Sequence, residues 1–213
     1  MSLTVRPARA DAQRNRRLLL DAAIAAFAEQ GVDVPVREIA RRAGVGKGTF
    51  FRHFPTKEAL VEAIIGERLE QLRKVAAEAN AAGGSGWDAL RHYLESATAF
   101  AIADRSFIEA VHPADLPRAA IGAAVRELQA ELTALLARGR GDGSVRDDVT
   151  AEDLQFLVHA VAANAARMQT IRPDLWRRNL VLLLDSLRPQ GASQLPVPAL
   201  TERQLAAAGE ACG

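Results

Sequence analysis

The segment VREIARRAGVGKGTFFRHFPTK, from Val36 to Lys57, leaves this chain few conformational options. Val36, Ile39, Ala40 and Ala43 recur at i, i+3, i+4 and i+7, the spacing of one apolar helix face. Arg37, Glu38, Arg41 and Arg42 take the other face. Gly44 follows, a residue that reaches positive φ without a Cβ penalty, so the helix can stop and the chain can turn sharply. Gly46 and Lys47 open a second short helix. Its Phe50 and Phe54, four apart, can pack back on the first, and Ala40 is small where the two would cross. Two short helices and a tight turn make a helix-turn-helix pattern, and in the DNA-binding version the second helix enters the major groove. On pattern alone, an ordinary helical hairpin with a solvated basic face is the alternative.

The same residues resemble the N-terminal module of TetR-family transcriptional regulators. The matching positions are Ile39-Ala40, Ala43-Gly44-Val45-Gly46, Gly48-Thr49, Phe51, His53-Phe54, Lys57-Glu58 and Leu60, at fixed spacing; the likeness is close over about residues 10–65 and only architectural beyond. It implies that Lys47, Thr49 and Arg52 face base edges and that Gly48 lets the backbone approach closely. Lys and Arg donate to guanine O6 and N7, and a Thr methyl can touch a thymine methyl. Arg37, His53, Lys57, Arg16 and Arg17 are implied to meet phosphates, which give affinity and register. Three positions depart from the family pattern. Phe51 stands where tyrosine is usual, so a phosphate-binding hydroxyl is missing. Gly46 stands where serine is usual, so the second helix loses a side-chain cap. Pro35-Val36 replaces the usual Thr or Ser before the first.

Charge is placed to match. Residues 1–60 hold 11 Lys+Arg and 6 Asp+Glu (11 − 6 = +5), and residues 61–213 hold 16 and 20 (16 − 20 = −4), for a net charge of +1. One basic end on an acidic remainder suggests that only that end meets phosphate. A sequence-independent architectural binder, the rival DNA-binding class, would carry more positive charge overall. Hydrophobic residues make up 49% and charged residues 25%, ordinary for a globular protein. No apolar run approaches the length of a membrane span, and the N-terminus lacks a signal-peptide pattern. The single cysteine, Cys212, excludes a disulfide framework within one chain. A cytoplasmic location is the natural expectation.

Taken in order, the chain reads as all-α, with about nine helices: a three-helix head and a C-terminal helical body. Residues 1–10 read as a flexible arm. A first helix should run from about Asp11 to Gln30, with Leu20, Ala23, Ile24 and Phe27 on its apolar stripe, and Gly31 should stop it. Thr56 can cap a long helix from Lys57 to about Asn80, and Ser85 another from Trp87 to about Ala103. Residues 104–120 contain Pro113 and Pro117, so only short helical pieces are expected, around Phe107 and Ile108. A helix should follow from about Arg118 to Ala137, then a glycine-rich loop from Arg138 to Val149. Thr150 with Asp153 forms a capping-box-like start. Two helices remain, at about 150–170 and 173–187, both apolar nearly all round. The expected domains are 1–56 (DNA-binding), 57–188 (ligand-binding and dimerisation) and a loose tail, 189–213.

Wide apolar faces need cover on two sides. Leu157, Val161, Ala165 and Met168 of the first of these helices, and Trp176, Leu180, Leu183, Leu184 and Leu187 of the second, are therefore candidates for a homodimer interface, which the resemblance favours. A core pair inside a monomer is the alternative. In the family a small molecule binds the body, and here Trp87, Tyr93, Phe100, Phe107, His112, Phe156 and His159 are candidate pocket residues, with core packing as the bland alternative for each. His159 and Asn164 are polar on an apolar helix and must find partners if buried. An enzyme is disfavoured: the chain shows no phosphate loop, nucleophile elbow or two-histidine metal spacing. No cofactor and no metal are expected. The implied partners are a palindromic double-stranded DNA operator, a second copy of the chain and an unidentified small-molecule effector, with no membrane.

Overall fold

The computed structural model describes residues 5–103, 118–200 and 204. Among these lie eight helices and no strand: α1 (Val5–Gln30), α2 (Val36–Arg42), α3 (Lys47–His53), α4 (Lys57–Ala81), α5 (Gly86–Ala103), α6 (Arg118–Gly141), α7 (Ala151–Met168) and α8 (Leu175–Ser186). The short pieces expected around Phe107 lie outside the described residues. So does the helical turn expected at 202–208, apart from Gln204. The chain divides into two compact units inside α4, after Glu67.

In the first unit, Leu19, Leu20, Ala23 and Phe27 of α1 close over Ile39 and Ala40 of α2, Phe50 of α3, and Leu60 and Ile64 of α4. Gly31, at φ 77°, ends α1 by donating its N–H to the Phe27 carbonyl at 2.9 Å. The turn after α2 is a Schellman closure. Gly44 sits at φ 68°, its N–H reaches the Arg41 carbonyl at 3.1 Å, and the Val45 N–H reaches the Ala40 carbonyl at 3.0 Å. Orphan carbonyls of a seven-residue helix are thereby paired, and the exit direction of the chain toward α3 is fixed. Phe50 and Phe54, both buried, lie 6.0 Å apart between ring centroids.

In the second unit, Leu90 and Leu94 of α5, Leu128, Leu132 and Leu135 of α6, Leu154 and Val158 of α7, and Leu180 and Leu184 of α8 share one core. Its local punctuation follows the sequence. The Ala59 N–H donates to Thr56 Oγ1 at 3.1 Å, opening α4 within the first unit, and the Asp88 N–H to Ser85 Oγ at 3.1 Å, opening α5. At α7 the capping box is reciprocal: the Asp153 N–H reaches Thr150 Oγ1 at 3.3 Å and the Thr150 N–H reaches Asp153 Oδ2 at 2.8 Å.

Three expectations are corrected. α1 begins at Val5 rather than Asp11, so much of the expected arm is helical. Pro7 is tolerated there because first-turn N–H groups have no intrahelical acceptor. α6 runs through Arg138 to Gly141 instead of stopping at Ala137. Gly139 serves close approach: a Cβ on Gly86, which opens α5, would lie 2.5 Å from the Gly139 Cα, and one on Gly139 would lie 2.4 Å from Val145 Cγ2. The start of the tail is also held, not loose. Arg146, whose side chain is 12% exposed, donates to the Ser186 carbonyl at 3.4 Å and the Ser193 carbonyl at 2.6 Å while pairing with Asp148 at 2.6 Å.

Candidate nucleic-acid interface

Helix α3 is short, and its surface is decided by one buried residue. Phe50 is fully buried, which turns Lys47, Gly48, Phe51 and Arg52 outward and leaves Thr49 and His53 half-buried. Its N-cap, Gly46, offers no side-chain hydrogen bond, as expected where serine is absent. Phe51 is 42% exposed, stands edge-on to Phe50 at 5.3 Å, and carries the Lys47 ammonium 5.7 Å from its ring centroid. The ring therefore makes a cation–π contact at the position where a hydroxyl is lacking. At Gly48 a Cβ would meet nothing within 4 Å. Among the described residues no packing requires this glycine.

The basic residues of the head fall into two groups. Glu38 accepts from Arg41 Nη2 at 2.7 Å and Arg42 Nε at 3.0 Å, and Arg42 also reaches Glu29 at 2.8 Å. Hydrogen bonds from Arg41, then Arg42, hold the Glu38 carboxyl at a pKa of about 2. Arg16 and Arg17 are engaged by Glu67 at 2.7 and 3.3 Å. The Lys57 ammonium lies 6.0 Å from the Phe27 ring centroid. By contrast, among the described residues Arg37, Lys47 and Arg52 form no ion pair, and all three are exposed. Among the described residues the head's cations without an ion-pair partner thus include Lys47 and Arg52 on α3, Arg37 on α2 and Lys57 at the start of α4, where they can meet an anionic partner.

The candidate pocket residues are not gathered. Tyr93 is buried in the body core, where desolvation pushes its hydroxyl pKa well above the usual value. Trp87 is half-buried beneath the Arg188 guanidinium, 3.5 Å from the ring centroid, and Phe100 lies 5.6 Å from that of Arg68. Phe156 is 51% exposed. His159 is exposed too, its Nδ1 2.7 Å from the Gln155 carbonyl one turn back, so it needs no buried partner. Asn164 is likewise exposed. Phe107 and His112 lie outside the described residues. Sequence reasoning missed an open cleft of about 530 Å³ between the α6–α7 loop and the start of the tail, lined by Arg140, Val145, Arg146, Asp148, Pro189 and Ser193 among others. Its residues are distant in sequence and are brought together by the Arg146 contacts and by a backbone hydrogen bond from Leu195 to Asp148. Among the described residues no cluster of three His, Cys, Asp or Glu side chains could hold a metal, and no helix is long and apolar enough to cross a membrane.

The candidate interface residues are also divided. Val161, Ala165, Leu180, Leu183, Leu184 and Leu187 are buried within the chain itself, while Leu157 and Trp176 are partly buried against the core and Met168 is half-buried. Neither helix is uniformly apolar in its surroundings. The apolar side chains left uncovered are Phe156 on α7 and Val181 and Leu182 on α8, at 51%, 55% and 59% exposure.

The comparisons with known proteins agree with this architecture. Residues 19–64 match the N-terminal domain model of bacterial regulatory proteins of the tetR family, and residues 86–189 match a transcriptional regulator SbtR-like C-terminal domain. A TetR transcription regulatory protein from Mycobacterium vanbaalenii is 36% identical, with a TM-score of 0.61 over 85% of this chain and 99% of that one. A TetR transcriptional regulator from Streptomyces coelicolor is 31% identical, with a TM-score of 0.59 over 83% and 99%. The chain belongs to the TetR family of transcriptional regulators. In the curated transcriptional repressor KstR of Mycolicibacterium smegmatis the likeness is 37% identity over 82 residues, 38% of this chain and only 40% of that protein.

Proposed function

We propose that this chain is a sequence-specific DNA-binding regulator that works as a homodimer on a partly palindromic operator and is released by a small-molecule effector. The observation that carries the reading is the outward face of α3, where Lys47 and Arg52 stand exposed, without carboxylate partners among the described residues, on either side of Gly48. Two such helices related by a two-fold axis would read half-sites one or more helical turns apart. The exposed Phe156, Val181 and Leu182 support a second copy as the cover of α7 and α8. Repression is favoured over activation by the likeness to a repressor from Mycolicibacterium smegmatis. An effector would act by population shift, releasing DNA only as far as it binds the non-DNA form better.

Selection of sites from a random duplex pool at near-physiological salt tests the reading. A single palindromic motif is the expected result and supplies the probe for effector screening. A folded protein that enriches no sequence overturns it, and salt-sensitive binding without enrichment would leave a sequence-independent binder instead.

A further inference from the structure

Arg16 and Arg17, adjacent on α1, converge on one carboxylate. Arg16 Nη1 donates to Glu67 Oε1 at 2.7 Å and Arg17 Nη1 to Glu67 Oε2 at 3.3 Å, so each oxygen has its own guanidinium. Arg17 is steadied from the other side by Asp21 at 2.9 Å. The Arg16 guanidinium lies 5.3 Å from the ring centroid of Phe54, the residue that closes α3. The cluster is therefore fixed beside the C-terminal end of the helix that carries Lys47 and Arg52. It is also reachable: the side chains of Arg16, Arg17 and Glu67 are 41%, 57% and 36% exposed. Pairs this exposed are held weakly and yield to a competing anion. A phosphodiester offers paired oxygens as a carboxylate does, and guanidinium forks suit both.

We propose that Glu67 occupies, from within the chain, the anion position that a DNA phosphate would take between Arg16 and Arg17, and so holds down affinity for DNA of any sequence. The proposal rests on the DNA-binding reading above. Its consequence is a lower affinity for all duplex DNA, because phosphate contacts add affinity without discrimination and masking them weakens binding to random and selected sequences alike.

The test is binding of the full-length protein to random and selected duplexes across a salt series. Glu67→Gln should tighten binding to random duplex roughly three- to fivefold, the reach of an exposed pair. It should also steepen the dependence of log affinity on log salt by roughly one to two units, one for each phosphate newly engaged. Adding Arg16→Gln and Arg17→Gln should abolish both gains. Glu67→Asp withdraws the charge by one methylene, should give an intermediate gain, and decides the matter if the glutamine variant does not fold. A folded Glu67→Gln protein that binds as wild type, or more weakly, overturns the proposal alone. If neither wild type nor Glu67→Gln binds any duplex, the DNA-binding reading falls with it.

Discussion

Arg138 shows how much a single side chain can close. Its guanidinium donates to the carbonyls of Ala79, Asn80, Ala82 and Gly84 at 3.2, 2.9, 2.9 and 2.7 Å. These are the orphan acceptors at the end of α4 and in the turn that follows, which would otherwise need water or a backbone cap. Arg138→Ala should cost about 2–3 kcal/mol of stability, since charged donors to four carbonyls, those of Ala79 and Asn80 in part-buried contacts, are lost at once. Urea denaturation reads this as a lower midpoint with an unchanged slope. Gly48 poses the opposite case. With open space around its missing Cβ, Gly48→Ala should leave stability unchanged or raise it by roughly 0.5–1 kcal/mol. The same change should weaken operator binding at least tenfold if the backbone of α3 lies against DNA, a pairing of effects that thermal denaturation and gel shift can separate.

At the scale of elements, short helices depend on their ends. α2 and α3 have seven residues each and no side-chain N-cap, too short to hold without tertiary help. α2 is braced instead by the Glu38 network. A carboxyl whose folded pKa is depressed stabilises the fold above its unfolded value and loses that contribution as pH falls. For Glu38 the window runs from the ordinary 4.5 down to about 2. Acidification through that window should destabilise wild type more than Glu38→Gln, in thermal melts followed at a series of pH values. Signals that stay local were legible here. The caps at Thr56, Ser85 and Thr150, the stop at Gly31 and the turn at Gly44 each depend on residues within a few positions. The end of α6 was not legible, because Gly139 looks like a loop residue until Gly86, over fifty positions away in sequence, is packed against it.

For the whole molecule, the proposed homodimer turns on the exposed Phe156 of α7 and Val181 and Leu182 of α8. Leu182→Glu places a charge where 59% of an apolar side chain is exposed, so the isolated fold should tolerate it. In an interface that charge would be desolvated without a partner. Light scattering should therefore show a monomer with native helicity, and binding to a palindromic site should weaken steeply with it. A variant that remains dimeric would move the interface elsewhere.

The sequence by itself determined the helical class, the helix-turn-helix and its turn, the caps at Thr56, Ser85 and Thr150, and the inward sense of Phe50 and Phe54. All of these follow from periodicity and from backbone preferences that act over a few residues. Only the tertiary structure decided which charges and which apolar faces remain available. Arg16 and Arg17 look like free cations until Glu67, 51 and 50 positions on, reaches them. Leu180, Leu183 and Leu184 look like an interface until α5 and α7 bury them, and Phe156 looks like a core or pocket residue until α7 turns it to the surface. The physical reason is the same throughout. Periodicity states that a face is apolar or charged, but its partner is chosen by long-range packing, which no local spacing encodes.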